Sequence, residues 1–98
     1  MIRQQGLNKI ARYIESIMSH AVIFSGGAQV QVDFYKKTVD GNRVEIWVKV
    51  PDHITVIDKF QILDTDNEVF IERSKALTRR SGRALLEIFS LEVREVSE

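Results

Sequence analysis

Asp64, Asp66 and Glu68 alternate along Asp64–Glu68, like the opening of a calcium loop, where carboxylates at the first, third and fifth positions converge on one cation. That loop also needs Gly at its sixth position and Glu at its twelfth. Counted from Asp64, those places hold Val69 and Lys75. The segment therefore reads as a solvated acidic turn. His20 and His53 are the two histidines and there is no cysteine, so disulfides and cysteine-ligated zinc are excluded. A helix-terminal histidine and a turn histidine are the plain readings. No cofactor or metal is expected.

No motif sets a serine, threonine or lysine beside a base, and there is no GxGxxG or P-loop. Gly26-Gly27 reads as a hairpin turn. No catalytic residue is assigned, and the chain is not expected to be an enzyme. Arg73, Lys75, Arg79, Arg80 and Arg83 form the one basic cluster. Such a cluster can grip phosphates, contact a protein or stay solvated. No aromatic residue interleaves it. Lys plus Arg equals Asp plus Glu at 14 each, so the overall charge does not favour nucleic acid.

These residues must be positioned by a small fold. Ninety-eight residues, 44% hydrophobic and 29% charged, specify one globular domain over residues 1–98. No apolar run approaches the ~20 residues of a membrane-spanning helix. The N-terminal stretch MIRQQGLNKIARYIESI carries charges throughout. Neither a membrane segment nor a secretion signal is expected.

Residues 5–19 have helical spacing, with Leu7, Ile10, Ala11, Ile14 and Met18 on one side and Ile17 beside them. Leu7-Ile10-Ile14-Ile17 also fits a short heptad seam, so core packing and a helix-mediated oligomer both remain open. The rest alternates with period two. Ala21–Ser25 is a short strand and Ala28–Thr38 a long one. Val44 to Val50 follows, then the hairpin Ile54–Glu72 folded at Asp66-Asn67. Asp and Asn suit that turn because they tolerate a left-handed backbone. Asp58 interrupts the apolar series and marks either a bulge or a switch of face. Ala76–Gly82 reads as a basic loop and Ala84–Val96 as the last strand. A three-residue loop at Asp40–Asn42 pairs Phe34 with Val48, Val32 with Val50 and Tyr35 with Trp47, whereas a two-residue loop at Asp40-Gly41 mismatches the faces.

The expected fold is α+β: an N-terminal helix packed on a curved, mainly antiparallel six-strand meander, half-barrel or sandwich-like. One face collects Ile23, Val30, Val32, Phe34, Ile46, Val48, Phe60, Ile62 and Ile71, and the helix is expected to cover it. The other collects Val22, Phe24, Tyr35, Trp47, Ile57, Leu63 and Phe70. The last strand is apolar on both sides, with Leu85, Phe89, Leu91 and Val93 against Leu86 and Ile88. A second apolar face must be buried by curling of the sheet or by another subunit. Phe24, Tyr35, Trp47 and Phe70 are thus the expected aromatic interface. The expected partners are proteins, including copies of this chain as a homo-oligomer. The meander also places the turns near residues 26, 52 and 80 at one end, basic through Arg79, Arg80 and Arg83. The turns near 41 and 66 form an acidic end through Asp40, Asp64, Asp66 and Glu68. Opposite signs favour head-to-tail stacking of copies.

The segment IDKFQILDTDNEVFIER (57–73) resembles a strand–Asp-x-Asp–strand element common in small proteins encoded in the tail regions of bacteriophages and prophages. That element usually reads Asp-x-Asp-Gly-x-Val. Asp64, Asp66 and Val69 match it, and Asn67 stands where Gly is usual. The resemblance implies a virion-associated structural or assembly component near a baseplate or tail fibre, located in the bacterial cytoplasm or the virion. No catalytic residue comes with it. The alternative from the residues themselves is a small nucleic-acid-binding module using the basic loop 73–83.

Overall fold

The structure, a computed structural model, describes residues 1–80 and 83–96. Helix α1 (Gln4–Ile17) runs straight into strand β1 (Met18–Ser25) without a loop, so Met18, Ser19 and His20 belong to the strand rather than the helix end. Arg3 holds the N-cap position but makes no side-chain capping bond. Then come β2 (Ala28–Val32), β3 (Lys36–Asp40), β4 (Arg43–Lys49), β5 (Val56–Asp64), β6 (Val69–Thr78) and β7 (Leu86–Glu92). All strand pairs are antiparallel. Among the described residues there are seven strands in two sheets, in the orders β2-β1-β5-β6 and β3-β4-β7.

The helix-plus-antiparallel-strand architecture is as expected, but the connectivity is not a single meander. The long strand over 28–38 bends at Asp33–Tyr35 and passes from the first sheet to the second as β2 and β3. A strand that turns a corner between packed sheets is how curvature is absorbed when both faces of a ribbon are apolar. The bend takes up a residue and reverses parity: Val30 and Val32 pack on the core before it, Val39 after it. The β3–β4 register shifts accordingly. Asp40 pairs with Arg43, Lys36 with Trp47 and Lys37 with Ile46, so the loop is Gly41-Asn42 rather than Asp40–Asn42. Gly41 at φ 59° supplies the positive φ that a type II′ hairpin requires at its first central position. The expected direct pairs Phe34–Val48, Val32–Val50 and Tyr35–Trp47 are therefore absent.

The connection after β4 crosses to the first sheet, where β5 pairs with β1 and β6. Strand β7 returns to pair with β4. The strands thus follow each other around a ring, closed by the β2/β3 corner on one side. On the other side, β6 and β7 are bridged by side chains. Arg73 Nη1 donates to the Ile88 carbonyl at 3.1 Å, and its guanidinium lies 4.1 Å from the Phe89 ring centroid. Lys75 and Arg73 approach Glu87 at 3.1 and 3.8 Å.

The core lies between the sheets. Ile23, Phe60 and Ile62 of the first sheet meet Ile46, Val48 and Phe89 of the second, all at or near zero exposure. Phe60 and Phe89 pack edge to face at 5.9 Å. Burying each such ring contributes about 1.5–3 kcal/mol. Every residue of the first expected face is buried or packs on this core. The cover, however, is the opposing sheet and not the helix. Helix α1 instead closes one end of the ring. Ala11 is fully buried there and Ile14 packs on the core, while Ile10 stays exposed. The Thr65 amide donates to the Ile17 carbonyl, and Asn8 approaches Gly41. The other end is closed by Val50 and Ile54, both buried. Ile57 joins the core rather than the outer face, because β5 bulges between Ile57 and Lys59. Asp58 at the bulge accepts from the Gly26 amide at 3.0 Å. Among the described residues no helix is long and apolar enough to cross a membrane.

Candidate functional site

Trp47 lies one residue past the midpoint of β4, the middle strand of the second sheet. Its parity, opposite to that of buried Ile46 and Val48, points it outward. Lys36 stands opposite on β3, with Nζ 4.9 Å from the indole centroid, and Ile88 stands opposite on β7. Lys49 pairs with Leu86 one step along the sheet. Tyr35, at the bend, donates its amide to the Trp47 carbonyl at 2.8 Å and leaves its side chain 61% exposed. Leu86 and Ile88 are 38% and 42% exposed, as expected for the outer side of the last strand. These residues form an apolar strip edged by two lysines.

At one end of the strip a shallow groove of about 280 Å³ is lined by Tyr35, Trp47, Lys49, Ala84, Leu85 and Leu86. The Trp47 Nε1–H is buried there and has no hydrogen-bond partner among the described residues. Leaving such a buried donor unpaired costs about 1–3 kcal/mol. A second depression of similar size shares Ala84 and Leu85 and carries the exposed Arg80 and Arg83.

Phe24 and Phe70 do not join this strip. Both belong to the first sheet, whose outer side faces away from that of the second. Phe24 is half-buried under Lys59, whose Nζ lies 4.5 Å from its ring centroid. Phe70 is exposed at the other end of that sheet, just past the acidic turn. Between them, Gln61 donates to Glu72 at 2.7 Å and Lys59 pairs with it at 3.3 Å. The hydrogen bond from Gln61, with the Lys59 contact and charge, holds the Glu72 carboxyl below the usual carboxylate range. Of the four aromatic residues expected at an interface, only Tyr35 and Trp47 share this strip, beside Leu86 and Ile88.

The basic cluster is also divided. Arg73 and Lys75 lie on β6 and serve the seam to Glu87, and β6 extends to Thr78, so the loop begins only at Arg79. Arg79 is 8% exposed. Its guanidinium donates to the carbonyls of Val50, Pro51 and Ile54, and its amide donates to Thr55. That clamp ties the β4–β5 connection to the end of β6. Arg80 and Arg83 remain outward, without an ion pair among the described residues. Ser81 and Gly82, the rest of the expected loop, lie outside the described residues.

At the acidic turn, Asp64 Oδ1 accepts from the amides of Asp66 and Glu68 at 2.9 and 3.0 Å, and Asn67 has φ 60°. Asp64 therefore holds the turn, while Asp66 and Glu68 face solvent. His20 is buried with Ser19 Oγ 3.0 Å from Nδ1, and His53 is exposed in the Pro51–Ile54 turn.

Two functional contacts escaped the sequence reading. The inward parity of β7 runs Glu87, Phe89 and Leu91, continuing that of Leu85 just before it. A nearly buried carboxylate in that series needs a cation beside it, and Lys75 at 3.1 Å with half-buried Arg73 at 3.8 Å supplies it. Parity signals that pair. Nothing local signals the Arg79 clamp. Compared with known proteins, the chain matches no family model, no curated protein and no solved structure.

Proposed function

We propose that this is a non-enzymatic assembly protein that works by protein–protein contact and associates with copies of itself through the outer side of the β3-β4-β7 sheet. The observation that carries this reading is the strip of exposed Tyr35, Leu86 and Ile88 around the half-buried Trp47. Aromatic anchors beside such a groove are the usual centres of protein interfaces. Lys36 and Lys49 edge it, and Arg80 and Arg83 stand next to it. This favours an acidic, partly apolar partner surface. The Asp64–Phe70 hairpin of another copy has that character: Asp66 and Glu68 face solvent beside exposed Val69 and Phe70. Groove and hairpin are different surfaces, so the contact is head-to-tail.

The virion setting implied by the Asp64–Val69 element belongs to the same proposal. Its one departure, Asn67 for Gly, falls at a left-handed position that both residues adopt. The nucleic-acid alternative has less to stand on, because three of its five basic residues are already engaged within the chain, Arg79 with main-chain carbonyls and Arg73 and Lys75 with Glu87. A salt-sensitive gel shift lost on changing Arg80 and Arg83 would favour it.

Light scattering at low salt tests the contact. The mean mass of the wild-type chain should rise with concentration and fall on adding salt. Trp47→Ala should weaken the rise about tenfold, a larger effect than its destabilisation of the fold, through the loss of one interface anchor. Association unaffected by Trp47→Ala would refute the role given to this strip.

A further inference from the structure

Strand β2 ends the four-stranded sheet and pairs with β1 alone. Among the described residues no hydrogen bond reaches its other edge. Half of its backbone N–H and C=O groups therefore face outward as an open template. The remaining edges are protected. Strand β3 carries Lys36 and Lys37, with Lys37 bonded to the Met18 carbonyl and near Glu15. Strands β6 and β7 face each other across the Arg73–Glu87 seam. By contrast, β2 reads Ala28-Gln29-Val30-Gln31-Val32, with no charge and no proline, and its ladder with β1 has no bulge.

The β2 sequence is also close to palindromic about Val30. We infer that β2 pairs antiparallel with β2 of a second copy, centred on Val30, joining two four-stranded sheets into one of eight strands. In that register Gln29 stands opposite the partner's Gln31, and Ala28 opposite the partner's Val32. The core-facing side chains of the two copies then lie on one face and the glutamines on the other. A slip of one residue would set valine against glutamine. The pairing is isologous, with a twofold axis through Val30. It does not depend on the Trp47 strip, which lies on the other sheet. An edge this short makes a concentration-dependent dimer rather than a permanent one.

Sedimentation analysis of charge-paired variants tests both the edge and its register. Gln29 and Gln31 are exposed, so their replacement should leave the melting temperature close to that of wild type. Gln29→Lys with Gln31→Lys sets lysine opposite lysine twice across the axis, and the dimer should weaken about tenfold or more. Gln29→Lys with Gln31→Glu sets lysine opposite glutamate twice and should restore it. Trp47→Ala should leave this dimer intact, which separates it from the head-to-tail contact. In the wild-type chain, hydrogen exchange at β2 amides should slow with rising concentration. Three results would overturn the inference: β2 exchange independent of concentration, a Lys/Lys variant that dimerises like wild type, or a folded Lys/Glu variant that stays monomeric. An edge protected only when an unrelated extended chain is added would also overturn it, by giving β2 to a foreign strand.

Discussion

Arg79 and Arg80 are adjacent in sequence and opposite in role. Arg79 reaches inward to three main-chain carbonyls, whereas Arg80 faces solvent. Removing a buried charged donor strands its acceptors, so Arg79→Met should cost about 2–4 kcal/mol of stability in urea unfolding. Arg79→Lys should recover little, because a single ammonium cannot reproduce the guanidinium fork. Arg80→Ala should stay within about 0.5 kcal/mol. Equal effects at the two positions would show that the clamp does not hold that end of the ring. Glu72 offers a smaller test. Its folded pKa is lowered by Gln61 and Lys59, so its contribution is present above the ordinary carboxylate pKa and fades as pH falls through the folded value. Gln61→Ala should raise the Glu72 pKa toward the ordinary value in an NMR titration. An unchanged titration would mean that the bond to Gln61 does not persist in solution.

Among the elements, the hairpins were the most readable and their partners the least. The alternation of Ile23, Phe60, Ile62 and Phe89 fixed which side of each strand meets the core, because a period of two leaves no choice once one face is buried. The Asp58 bulge and the left-handed Asn67 were visible as breaks in that alternation and as turn chemistry. Which strand lies beside which was not visible. Local periodicity carries no information about the crossing after Val50, or about the bend at Asp33–Tyr35 that reverses parity and moves the β3–β4 loop by one residue. The helix was placed on a face for the same reason: its apolar side was legible, but not the end of the ring it closes. At the β5–β6 turn, Asn67→Val should cost about 1–2 kcal/mol, since a β-branched residue resists positive φ, and Asn67→Gly should be nearly neutral. Thermal unfolding of the two variants checks this; a tolerated valine would mean that the turn is not the one described.

For the molecule as a whole, the two apolar faces have different fates. One lies between the sheets. The other remains outside, partly screened by Lys59 and Glu72 on the first sheet and open around Trp47 on the second. The expectation of opposite charge at the two ends also needs amending. Helix α1 lies across the end that holds the Gly41 and Asp66 turns and brings Arg3, Lys9 and Arg12 with it. The charge contrast is therefore local, between the cations beside the groove and the tip of the acidic hairpin. The candidate site was half legible: parity put Tyr35 and Trp47 outside, but only the fold separates them from Phe24 and Phe70. Trp47 is the one tryptophan in the chain, so its fluorescence reports this site alone. Emission followed against protein concentration at low salt should shift to the blue and become shielded from acrylamide as copies associate. Salt-sensitive growth beyond a dimer, seen by scattering in the same samples, with emission and quenching unchanged would contradict the claim that the head-to-tail contact runs through the Trp47 strip.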